Sequence, residues 1–247
     1  MNDRGWIIVP EVIDPELLRR LRQALPYAWV ECSNIMHENG IDDADNTVHH
    51  LLATQDPGPW LDLIAALEPL DPIFTGYFGG SKYVLHSLGG SINTKGHDNY
   101  ASRIHRDIRT HQREPFVLNT LVMLDDFTAE NGATWLGGRT PFARGSESFY
   151  ENATQAIGSA GSVLIFDSNI WHCSGTNYTD KPRRSITPLL CKPFVRPGFD
   201  YPRALGYDRD GISVYQRLVI GYNARIPATL SEWYQPEATR MYRKEQG

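Results

Sequence analysis

Residues 161–193 read GSVLIFDSNIWHCSGTNYTDKPRRSITPLLCKP, and this stretch decides the fold class. Residues 162–166 form a short apolar run, Asp167-Ser168-Asn169 makes a turn, and residues 170–172 and 184–193 are two further β-prone runs. Runs this short, bounded by Asn, Asp and Gly, predict strands and not helices. Working outward, residues 83–88, 91–93, 100–108, 116–124 and 133–136 repeat the same texture. Seven or eight such strands in succession predict a double-sheet jelly roll or barrel, not a parallel α/β sheet.

The N-terminal side differs. Residues 6–9 are β-type; Asp14 then offers an N-cap, Pro15 the first helical position, and Glu16 an acidic first turn. Leu17, Leu18, Leu21 and Leu25 recur at helical spacing, with Arg19, Arg20 and Arg22 largely on the other face. A second helix is predicted over 60–67 and a short one near 213–220. Residues 37–59 are polar and broken and read as a long loop or lid. His37, His49 and His50 with Asp42, Asp43 and Asp45 suggest a second metal patch there, but the run lacks the Gly and distal Glu of a calcium loop. The expected layout is one mostly β domain over 1–247: helical N-terminal support at about 14–80, a β core at about 82–195 and a C-terminal extension at 196–247.

Composition narrows the function classes. With 247 residues, 41% of them hydrophobic, the chain can bury an ample core without disulfides. Its 24 Lys+Arg against 29 Asp+Glu give a net charge of −5, which argues against nucleic acid as a partner. No apolar run approaches a membrane span, and the start MNDRGWIIVP lacks signal-peptide order, so a cytoplasmic location is expected. The 3 cysteines form neither a metal motif nor a disulfide framework. Oligomeric state is left open.

His105 and Asp107 stand two apart in a β-prone run, where alternation puts both on one face. With 8 His and 17 Asp in the chain, such a pair arises by chance in roughly 40% of cases. A distant His172 and then Arg183, eleven places on, make the set more specific. Two imidazoles and a carboxylate on one side of iron(II) leave positions open for a co-substrate and dioxygen. An Arg fork suits the far carboxylate of that co-substrate. Charges agree: iron(II), Asp107 and a doubly negative 2-oxo diacid leave one negative charge, which Arg183 neutralises.

At this point the sequence resembles the phytanoyl-CoA dioxygenase family of iron(II)- and 2-oxoglutarate-dependent oxygenases. GWIIVPEVIDPELLRRLRQAL is similar to the family's opening, IHRDI to its first metal motif, LVMLDDFTAENGATWLGG to its central block and WHCSGTNYTDKPRRSI to its distal-His segment. The resemblance runs from Arg4 to about Arg196 and implies a double-stranded β-helix, or jelly-roll, core with flanking helices. It implies His105, Asp107 and His172 as iron ligands, and Arg183, helped by Ser174 and Asn93, as the holder of 2-oxoglutarate. Two departures concern the substrate side: Gly137-Gly138-Arg139 stands where the family often has Pro-Gly-Ser-His, and Leu121 where an aromatic is common. Halogenating relatives replace the carboxylate ligand with a small residue; Asp107 argues against that chemistry.

The implied activity is hydroxylation of a C–H bond in a small molecule, polar or anionic, with 2-oxoglutarate and dioxygen consumed. Desaturation, epimerisation or cyclisation by the same oxidant is one alternative; a non-catalytic metal-binding jelly-roll protein is the other. Arg109 and Arg139 are candidates for an anionic substrate, weighed against simple solvation. Asn119 is a candidate for substrate contact, weighed against a core hydrogen bond. Cys173 is expected to be a packed thiol, since neighbours on a strand face opposite ways.

Overall fold

The computed structural model describes residues 4–41, 47–96, 100–108, 114–138, 146–237 and 239–240. Its strands are β1 (Trp6–Val9), β2 (Thr47–Val48), β3 (Val84–Asn93), β4 (Val117–Met123), β5 (Trp135–Leu136), β6 (Thr154–Gln155), β7 (Val163–Asp167), β8 (His172–Cys173) and β9 (Arg183–Cys191). The helices are α1 (Pro15–Glu38), α2 (Gly58–Ala66), α3 (Asp71–Tyr77), α4 (Ser146–Asn152), α5 (Tyr201–Leu205), α6 (Val214–Ile220) and α7 (Leu230–Trp233). The strands make two antiparallel sheets, ordered β1-β7-β4-β9-β3-β2 and β6-β5-β8. This is a jelly-roll core with flanking helices. Among the described residues, no helix is long and apolar enough to cross a membrane.

The large sheet is buried on both faces, so its central strands read as continuous apolar runs: every residue of β4 and β7 is buried. One face packs on the helices. Asp14 Oδ1 accepts from the Glu16 and Leu17 amides at 2.9 and 3.0 Å, which starts α1 cleanly. Leu21 and Leu25 of α1 are fully buried together with Leu63 of α2 and Leu88 of β3. The other face of the sheet forms a smaller apolar cluster around Leu121, Met123, Phe127, Leu136 and Phe166. The site lies on that side.

Helix α1 continues through Pro26 to Glu38, further than its leucine stripe. Pro26 has no amide hydrogen for the carbonyl of Arg22, one turn back. That carbonyl instead accepts from Arg184 Nη1 of β9 at 3.4 Å. Asp125 grips the same guanidinium at both ends, at 2.7 and 2.9 Å, and also accepts the Arg184 amide at 2.8 Å. The strand that begins with Arg183 is thereby tied to the first helix.

Two sequence expectations are corrected. Residues 100–108 do not form a strand: a 3-10 turn covers Tyr100–Ser102, and pairing follows only as a single bridge at His105. The partner strand β8 is only two residues long, so no ladder can extend. Residues 37–59 are not a free lid where described. His37 and Glu38 finish α1, β2 pairs with β3, and Leu51 and Leu52 are 0% and 1% exposed. A two-residue edge strand offers no alternation to read, and its polar surroundings hid the buried leucines. Asp42, Asp43 and Asp45 lie outside the described residues.

Candidate metal centre and co-substrate pocket

His172 enters the site from β8, which β5 positions by placing Leu136 opposite it. On its other side the His172 backbone meets that of His105. The His105 amide donates to the His172 carbonyl at 3.0 Å, and the His172 amide returns the bond at 2.9 Å. The two rings lie 4.3 Å apart, centroid to centroid. His105 Nδ1 is 2.6 Å from the Arg103 carbonyl oxygen, and His172 Nδ1 is 3.2 Å from that of Ile170. A carbonyl can only accept, so each ring carries its proton on Nδ1 and keeps its lone pair on Nε2, the atom that can ligate a metal.

Asp107 closes the triangle. Its Oδ1 is 3.6 Å from His105 Nε2 and its Oδ2 is 3.5 Å from His172 Nε2. All three ligand atoms lie within 4.8 Å of one another. Burial lowers the proton affinity of the His172 imidazole, against the opposing pull of the Asp107 charge, which favours the neutral ring that can bind a metal. Asn119, 3% exposed on β4, donates its amide to Asp107 Oδ2 and also reaches Ser168 Oγ at 3.2 Å. Phe166 packs edge-on against His172 at 4.9 Å. Nitrogen and oxygen donors in this 2:1 ratio suit iron(II).

Arg183 opens β9 directly opposite Asn93, the last residue of β3. Its Nη2 donates to Ser174 Oγ at 2.7 Å, while Asn93 Nδ2 donates to the Gly175 carbonyl at 3.0 Å and to Ser174 Oγ at 3.3 Å. The guanidinium lies 4.4 Å over the Phe127 ring. Arg183 is only 3% exposed, and burial brings its pKa down to about 10 with Asp125 opposing, so it stays cationic at neutral pH. Its Nε is buried with no hydrogen-bond partner. A buried cation with an unmet N–H is costly until an anion reaches it. A carboxylate fits that fork, and the residues present therefore fit both iron(II) and a diacid co-substrate. Gly132, at φ +81°, backs this corner: a Cβ there would stand 2.3 Å from the Gly175 carbonyl oxygen and 2.9 Å from Asn93 Nδ2.

A cavity of about 180 Å³ joins the two corners. Leu121, Phe166 and Leu189 are among its apolar lining, Phe166 beside His172, and Thr47 and His49 line it from the β2 edge. Thus the structure brings together His105, Asp107, His172, Asn119, Ser174, Asn93 and Arg183. Arg109 and Arg139 lie outside the described residues. Asn119 takes its hydrogen-bonded alternative, through Asp107. Cys173 is fully buried, 3.7 Å from the Tyr150 hydroxyl, and burial raises its thiol pKa. Sequence reasoning missed Phe127 beneath Arg183, although DDFTAENG carries an aromatic beside the turn that ends in Gly132.

Comparison with known proteins finds similarity in sequence and in fold. An uncharacterized protein of Mycobacterium tuberculosis is 33% identical over 151 residues, covering 56% of this chain and 54% of its own length. The iron/alpha-ketoglutarate-dependent dioxygenase penM of Penicillium thymicola is 25% identical over 206 residues, covering 76% of this chain and 65% of its own. The chain thus spans about half to two thirds of the length of these relatives. Among solved structures, HygX of Streptomyces hygroscopicus, with nickel and 2-oxoglutarate bound, superposes with a TM-score of 0.58 at 15% identity, over 79% of this chain and 85% of its own. The family model for phytanoyl-CoA dioxygenase (PhyH) matches residues 1–185. The chain belongs to the phytanoyl-CoA dioxygenase family.

Proposed function

We propose that the protein is an iron(II)- and 2-oxoglutarate-dependent dioxygenase that hydroxylates a C–H bond of a small molecule. The observation that carries this reading is the pairing of two corners in one cavity: a His105–Asp107–His172 triangle, and a buried Arg183 whose Nε lacks a partner. Iron(II), with 2-oxoglutarate and dioxygen, supplies oxidative decarboxylation to succinate and carbon dioxide and delivers one oxygen atom to the substrate.

The chain's own residues hold and orient. The Arg103 and Ile170 carbonyls fix both imidazole tautomers, and Asn119 fixes the carboxylate of Asp107. Arg183 and Ser174 take the distal carboxylate, with Asn93 bracing Ser174. Leu121, Phe166 and Leu189 keep water from the reacting end. Retention of Asp107 favours hydroxylation over halogenation.

The test is anaerobic titration of iron(II) and then 2-oxoglutarate, followed by a metabolite panel scored by substrate-stimulated succinate release and product mass. A gain of 16 mass units, one oxygen atom, identifies hydroxylation. Loss of two hydrogens or an unchanged mass identifies desaturation or epimerisation. Stoichiometric iron binding without 2-oxoglutarate binding would sink the oxygenase reading and leave a metal-binding protein.

A further inference from the structure

The cavity has a further wall, which supplies neither a member of the His105–Asp107–His172 triangle nor a partner of Arg183. Along the β3–β9 ladder, the Asn93–Arg183 pair is followed by Ser91 opposite Ser185, Gly89 opposite Thr187 and Ser87 opposite Leu189. The edge strand β2 adds Thr47 opposite Ser91. Side chains two apart on a strand share a face, as do residues directly opposite. Thr47, Ser91 and Ser185 therefore form a row across three strands on the face that carries Arg183. Thr187 and Ser87 continue that face toward Leu189, and all five line the cavity.

Among the described residues, none of these five hydroxyls has a side-chain hydrogen-bond partner. Elsewhere the protein ties such groups off: Thr120, on the opposite face of β4, gives its hydroxyl to the Pro188 carbonyl at 2.6 Å, and Thr54 gives its own to Leu51 at 2.7 Å. Ser185 is 2% exposed and Thr47 9%, so what access their hydroxyls have is by way of the cavity. An acyl chain against this wall would leave the hydroxyls unmet, which is costly. A second anion finds no charge of its own, because Arg183, the sole Arg or Lys among the described lining residues, is given to the co-substrate carboxylate in the proposed reading. A ligand hydroxyl both donates and accepts, as Ser and Thr do.

We infer that the substrate is a neutral polyhydroxylated compound, hydrogen-bonded along Thr47, Ser91, Ser185 and Thr187. What becomes of that ligand rests on the proposed oxygenase reading; its binding rests on the hydroxyl wall alone.

Saturation-transfer NMR on the full chain tests this, both metal-free and loaded with zinc(II) and 2-oxoglutarate to prevent turnover. The probes are methyl α-glucoside, myo-inositol and sorbitol, set against aspartate, glutarate and octanoyl pantetheine. At least one polyol should bind. Thr47→Val and Ser185→Ala should each weaken it about five- to tenfold, the effect of one lost hydrogen bond. Thr120→Val, facing the other side, should not. The inference is overturned if no polyol binds in either form, if the carboxylates or the thioester bind more tightly to the form loaded with zinc(II) and 2-oxoglutarate, where Arg183 is already taken, or if all of Thr47→Val, Ser185→Ala and Thr187→Val leave polyol affinity intact. Polyol binding without 2-oxoglutarate binding would sink the oxygenase reading and keep this one. The converse result would sink this one alone.

Discussion

His105 and His172 hold each other by a reciprocal pair of backbone hydrogen bonds, so the His105 imidazole is set by a single bridge to a strand residue and not by a strand of its own. The position of one ring follows the backbone of the other. Truncating either side chain leaves that bridge in place while removing one donor from the triangle. His105→Ala and His172→Ala are therefore expected to fold normally by circular dichroism yet lose iron(II) affinity by at least about a hundredfold in anaerobic calorimetry.

Arg183→Ala should behave differently. The metal triangle is untouched, so iron(II) binding should remain within about threefold. 2-Oxoglutarate binding should weaken by about 2–4 kcal/mol, the scale of a lost charge-assisted pair. Arg183→Lys should recover little, because a lysine cannot reproduce the fork. Equilibrium dialysis with labelled 2-oxoglutarate separates these outcomes.

Asn119 acts through Asp107. Asn119→Ala removes the amide that braces the carboxylate and should reduce metal affinity about ten- to a hundredfold. The 2-oxoglutarate Kd, measured at saturating metal, should stay close to that of the unaltered protein. An equal loss in both constants would mean that the substitution had damaged the cavity as a whole.

Burial lowers the pKa of His50, His86 and His172, so these rings are less readily protonated in the fold than in the unfolded chain. The unfolded chain takes up more protons below about pH 6.5, and stability contributed by the neutral rings is lost as pH falls through that value. The metal-free protein should show a falling Tm from pH 7 to pH 5. His50→Asn should flatten part of that slope, since His50 sits at φ 60° and Asn accepts that conformation.

Arg184 and Asp125 are partly buried and joined by three hydrogen bonds. Asp125→Ala should cost about 2 kcal/mol in urea denaturation, more than an exposed pair, because it strands a half-buried guanidinium.

Much of this was legible because strong local signals agree with the fold. The β4 and β7 runs, the Asp14 cap and the leucines of α1 each read correctly from neighbouring residues alone. The convergence of His105, Asp107 and His172 was expected from spacing, but the alternation argument behind it does not hold. The pair reaches the site from a turn and a bridge, geometry set by a distant backbone. Asn119 on Asp107 and Phe127 under Arg183 depend on long-range register, to which one segment gives no clue. The hydroxyl wall did have a partial signal: Ser91 and Asn93 flank Ile92, and Ser185 and Thr187 flank Ile186, which puts each pair on one face of its strand.

Pro26 has an unexpected standing. By intrinsic propensity it is the worst residue for a helix interior, about 3 kcal/mol below alanine, and replacing it would ordinarily count as an improvement. Here the missing amide hydrogen spares the Arg22 carbonyl for Arg184. Alanine would turn that oxygen back into the helical ladder and loosen a fastening between the first helix and the strand that carries the buried cation. A helix breaker has become a rivet.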